Sequence, residues 1–194
     1  LAPDLLGTGE MGSGDFEGDA NFGGSSHNLW YASILIDRSI TGINAGDVAM
    51  LVRLILKENP QSEISGFARR EMSPVLLHAA VLNPEIKCIV LNEPYSSYRS
   101  IVNCRFYNPF FIHSTVFGAL EKYDLPDLAA SLAPRRLLLI DPTDGKGNKE
   151  NVEEINRDME LIRTGYRNAE NQLTIISSSK NSGSFIEKLE GICF

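Results

Sequence analysis

Two short runs set the terms for what this chain can become. Residues 87–91 (Lys-Cys-Ile-Val-Leu) and 136–140 (Arg-Leu-Leu-Leu-Ile) are apolar almost throughout, and they stop at Asn92-Glu93-Pro94 and at Asp141-Pro142. A strand with one wet face alternates apolar and polar residues, whereas a continuous apolar run is the mark of a strand buried on both faces, as in parallel sheets. Helical patterns surround these runs. Residues 47–58 place Val48, Leu51, Val52, Ile55 and Leu56 on one helix face, with Asp47 as N-cap. Residues 149–166 read as a second helix, residues 125–130 as a short one, and residues 185–189 as a last one. Strands are expected at 64–67 and 172–177, and Ser73-Pro74 reads as the cap and first turn of a helix running through Ala80. Strands alternating with helices in this way predict an α/β fold, a mostly parallel sheet with helices on both faces. Ligands on such sheets bind beyond the C-terminal strand ends.

Composition narrows the function. The 194 residues carry a formal charge of −7, and the basic pairs Arg69-Arg70 and Arg135-Arg136 are too short to form a patch, which argues against a nucleic-acid partner. No run of 18 apolar residues exists, so no transmembrane helix is expected. Cys88, Cys104 and Cys193 have neither zinc-site nor disulfide-framework spacing, and Cys88 reads as a buried thiol. Residues 7–24 are Gly-rich and read as a loop.

Several segments, in this order, resemble the α/β-hydrolase superfamily. Asp4-Leu5-Leu6-Gly7-Thr8-Gly9-Glu10 is similar to a D-x-x-G-x-G turn, with the Glu seen in the acetylxylan-esterase-like branch of carbohydrate esterases. Residues 30–47, with Ser39, Gly42 and Asp47, resemble the approach to the helix before the nucleophile strand. Residues 134–144 resemble the strand and loop that carry the catalytic acid. The resemblance covers about residues 1–179 and implies the C-terminal part of one such domain, occupying residues 1–194. It implies no metal and no cofactor, a partner that is an acylated polysaccharide or oligosaccharide, and a periplasmic or secreted location; the residues themselves leave the compartment unknown.

Acyl transfer on this fold needs a nucleophile on a strained turn, a His beside it and a carboxylate to orient the His. The elbow should lie within residues 66–72, where Ala68, Arg69 or Arg70 takes the nucleophile position according to register, and no Ser, Cys or Thr is present. Ser73 is the nearest hydroxyl and reads foremost as a helix cap; Glu71 is a carboxylate at the start of a helix. The resemblance puts the acid at Asp144, with Asp141 as the alternative and a plain Asp-Gly turn as the simpler account. No His stands in residues 175–183. His78 reads as a satisfied core residue, and His113 reaches the site only if its segment folds over the strand ends.

Three functions follow. The first is a carbohydrate-esterase-like domain without catalysis. The second is a working esterase with displaced parts, Ser73, His113 and Asp144. The third is a carbohydrate-binding module using Trp30, Tyr31, Tyr95, Tyr98, Phe106, Tyr107, Phe110 and Phe111, aromatics that more often serve as core. The resemblance also implies an earlier strand between the strand leading into Asp4 and the one ending at Phe67. The expectation is therefore a longer parent polypeptide, with the missing segment or a second copy completing the sheet.

Overall fold

The computed structural model describes residues 1–12, 21–22 and 25–177. The expected helix at 185–189, the stretch 178–183 and Cys193 lie outside the described residues.

Among the described residues the main sheet has four strands: β1 (Ile64–Arg69), β2 (Ile86–Asn92), β3 (Arg136–Ile140) and β4 (Leu173–Ile176). They lie side by side in chain order, and every pairing is parallel. Each crossover carries at least one helix. The helices are α1 (His27–Leu35), α2 (Ile40–Glu58), α3 (Ser73–Leu82), α4 (Tyr98–Val102), α5 (Leu125–Ser131) and α6 (Val152–Gly165). A short antiparallel ladder, Asn21–Phe22 against Ser25–Ser26, interrupts the region read as loop.

Because side chains alternate across a strand, the two apolar runs serve two clusters. Ile89, Leu91, Leu137 and Leu139 join residues of α2, α3, α5 and α6 in the main core, while Cys88, Val90, Leu138 and Ile140 form a second cluster on the opposite face. Cys88 is a correction to the reading above. It is disulfide-bonded, and Cys104 is a free thiol.

Helix α2 starts seven residues before the expected cap. Its N-cap is Ser39, whose Oγ accepts from Gly42 N at 2.9 Å, and its first turns bury Thr41, Asn44 and Ala45. Burial outweighs the low helix propensity of Gly42 and Gly46. Among the described residues no single helix is long and apolar enough to cross a membrane.

At the other end of the sheet, Arg135 ties α3 to β2. Its Nη1 donates to the carbonyls of Ala80 (2.7 Å), Asn83 (3.1 Å) and Ile86 (3.2 Å), where the end of α3 turns into β2. An apolar cavity of about 690 Å³ is lined by β1 together with Leu1, Ala2, Pro3 and Leu5, with Val48, Val52 and Ile55 of α2 on its wall. Residues 1–5 form no strand.

Candidate functional site

Three consecutive strands end the same way. The residue just beyond β1, β2 and β3 is Arg70 (φ +49°), Glu93 (φ +52°) and Asp141 (φ +53°), each in the left-handed region that non-glycine residues enter at a cost of roughly 1–2 kcal/mol. The chain thus breaks sharply out of the sheet at one level. At the first break, Arg70 opens a single 3-10 turn (Arg70–Met72), and α3 follows directly. That is a strand, a strained turn and a helix, in which Arg70 occupies the turn, Arg69 is the last residue of β1, and Ala68 is buried within the strand.

Sequence reasoning missed the partner that holds this turn. In the parallel register Arg69 lies beside Asn92, which brings Glu93 next to both arginines. Glu93 Oε2 accepts from Arg69 Nη2 (2.7 Å), Arg69 Nε (3.0 Å) and Arg70 Nε (2.8 Å). Partial burial pushes the Glu93 carboxyl upward, but the hydrogen bonds and charges of the two guanidiniums outweigh it and hold the group below the usual carboxylate range. Both arginine side chains are more than half exposed, so the triad contributes little to stability. The signal in the sequence was opposite charge at the ends of adjacent strands. Arg70→Gly is therefore expected to be more stable than Arg70→Ala by about 1 kcal/mol, because both lose the ion pair and only glycine relieves the left-handed backbone. Urea midpoints of the two variants measure the difference.

The other candidate residues lie apart. Ser73 is not the cap of α3 but its first helical residue, Met72 standing at the cap; the residue is 1% exposed and its hydroxyl has no hydrogen-bond partner among the described residues. His78, one turn further on, has Nδ1 2.7 Å from Pro74 O and Nε2 2.8 Å from Tyr123 Oη. A carbonyl can only accept, so Nδ1 carries the proton and Nε2 accepts from the tyrosine. Burial pushes its pKa below the ordinary value despite that backbone bond. His113 is buried in the 3-10 segment Pro109–Ser114 with its ring against His27, and it lines a cavity of about 260 Å³ with Glu71, Gly7 and Thr8. This cavity reaches the turn of residues 4–10, where Asp4 Oδ2 accepts from Glu10 N. A Cβ on Gly9, whose φ is +50°, would sit 2.1 Å from the Asp4 carboxylate. Asp144 lines a different cavity; its Oδ1 accepts from Lys146 N and Asn148 N, both at 2.9 Å. Asp141 is paired with Lys149 Nζ at 2.9 Å. The fold therefore brings Glu71 and His113 to one cavity and Asp144 to another, and Ser73 lines neither. Among the described residues no three His, Cys, Asp or Glu side chains converge as a metal site requires.

The aromatic residues divide. Tyr95, Tyr98 and Phe111 are core, whereas Tyr31, Phe106, Tyr107 and Phe110 are exposed.

No protein-family model and no curated protein matches this chain. Among solved structures it is similar to a candidate acetyl xylan esterase from Bacteroides fragilis, with a TM-score of 0.61 at 17% identity. The likeness covers 93% of this chain and 46% of that one, so the chain spans less than half of the protein it resembles. The likeness shows an α/β fold shared with that structure.

Proposed function

We propose that this chain is an α/β-hydrolase-type domain, akin to acetylxylan and other carbohydrate esterases, in which ester cleavage has been lost. One observation carries the reading. The left-handed turn between β1 and α3, where acyl transfer needs a hydroxyl or thiol, holds the ion-paired Arg70. A guanidinium stays protonated and cannot attack a carbonyl. Further support comes from Ser73, the nearest hydroxyl, which is buried and bonded to no imidazole nitrogen.

Incubation with p-nitrophenyl acetate and with acetylated xylan is expected to release product no faster than the heat-denatured chain does. Turnover abolished by Ser73→Ala would overturn the proposal and favour the displaced triad of Ser73, His113 and Asp144. Turnover that survives Ser73→Ala would also overturn it, and would place the chemistry on other residues.

A further inference from the structure

β1 stands at an edge of the sheet: among the described strands its one neighbour is β2. A strand edge presents backbone N–H and C=O groups that template another strand, and proteins guard such edges with proline, lysine or an inward-pointing charge. Ile64-Ser65-Gly66-Phe67-Ala68-Arg69 carries no such guard before its last residue. The apolar cavity lined by this strand also leaves Val48, Leu51 and Ile55 of α2 only half-buried. Leu1, Ala2 and Pro3 line it as well; they are exposed and belong to no helix or strand, so an entering strand can push them aside.

Two properties of β1 select what enters. Its faces differ, since Ile64 and Ala68 pack into the main core whereas Phe67 is 54% exposed. An antiparallel partner keeps like faces together only in registers that differ by two residues. Its ends carry opposite charge, with Glu63 just before the strand and Arg69 at its close, both exposed. Such a strand is complementary to itself turned end for end. With a twofold axis through Gly66, Glu63 of each copy meets Arg69 of the other, and Ile64 meets Ala68 on the core face. The two Phe67 rings become diagonal neighbours, at a spacing of about 7–8 Å that aromatic side chains bridge. Sliding the register by two residues one way turns Glu63 toward Glu71, and the other way sets Arg69 against Gln61. Arg69 gives Nε and Nη2 to Glu93, which leaves Nη1 for a second carboxylate.

We infer that this edge joins two copies of the chain, β1 pairing antiparallel with itself about Gly66 so that the two sheets run on as one. The interface is isologous, each copy giving the same strand and receiving it, so the association closes at a dimer. It covers the half-buried side chains of α2 and holds the Glu63 and Arg69 pairs at its two ends.

The test is sedimentation equilibrium of the whole chain across a wide range of concentration, expected to show a reversible shift from one chain mass to twice that mass. Glu63→Arg and Arg69→Glu each set like charges against each other at both ends of the interface and are expected to weaken association about tenfold or more. Both changes in one chain restore the pairing with the signs exchanged, and association is expected to return to within about threefold of the native chain. Arg69→Glu also loses the Glu93 contact within its own chain, which the double variant does not regain, so recovery reports the contact between copies. If a swapped chain fails to fold, hydrogen exchange of the native chain decides, the amides of residues 64–69 being expected to exchange more slowly at high concentration than at low. The inference falls if the chain stays monomeric throughout, if a dimer is indifferent to both single changes, if the double variant associates no more tightly than the single ones, or if exchange in β1 ignores concentration.

Discussion

Replacing Arg135 with methionine is expected to lower stability by about 3 kcal/mol. The methionine fills much of the same volume, so the loss isolates the guanidinium. One nitrogen of Arg135 serves three carbonyls, those of Ala80, Asn83 and Ile86, where α3 ends and β2 begins. A hydrogen bond from a charged donor is worth roughly 1.5–3 kcal/mol, and three are lost together, while the Ala80 and Asn83 carbonyls each keep a backbone N–H, from Asn83 (3.3 Å) and Ile86 (3.2 Å). Arg135→Lys is expected to recover only part of it, because an ammonium group is a point charge without the planar reach of the fork. Urea unfolding measures both variants. A methionine variant within 1 kcal/mol of the native chain would mean that water takes over these carbonyls at no cost.

Gly145→Ala is expected to cost roughly 2–3 kcal/mol, the upper range for forcing a methyl group into a packed site. Its Cβ would lie 2.2 Å from Ser100 O, 2.6 Å from Ser100 C and 2.9 Å from Ile101 Cα. All three are backbone atoms of α4, so no side-chain rotation relieves the clash, and the loops after β2 and β3 must move apart. The natural control is Gly46→Ala within α2, where a new Cβ meets nothing within 4 Å. That change is expected to raise stability by about 0.5–1 kcal/mol, the usual helical preference for alanine. Equal effects from the two substitutions would refute the packing account.

How far these features could be read in the sequence depends on how local their causes are. The strands β2 and β3 were legible because burial on both faces writes an unbroken apolar run, and their observed bounds differ from the expected ones by at most a residue. Helix α6 was legible from its spacing. The start of α2 was not, because Thr41 and Asn44 are held in the helix by tertiary burial, which leaves no periodic signal. Helix α1 was missed for the same kind of reason: its nine residues bury only Ser33, so no apolar stripe marks it. The turn between β1 and α3 was legible as a place but not to the residue. A glycine or serine motif would have pinned it, and Arg70 declares its conformation only through the dihedral angle. The disulfide at Cys88 leaves no trace in the cysteine spacing. Phe106 was counted among eight aromatics, and only the fold separates an exposed ring from the buried Tyr95, Tyr98 and Phe111.

The matching breaks after β1, β2 and β3 divide the molecule into a foundation and its attachments. Below Arg70, Glu93 and Asp141, the register of the strands is fixed by the parallel ladder, and above them the loops after β2 and β3 are joined by the bridge of Tyr95 to Thr143 and by the Asn108 N to Gly145 O hydrogen bond. A residue inserted beyond that bridge lengthens a loop and leaves the foundation alone. The same residue inserted two positions before a break slips the strand by one and turns its buried side chains outward. The upper rim can therefore be rebuilt, its loops grafted, extended or exchanged for those of a relative, while the sheet beneath goes on folding as before.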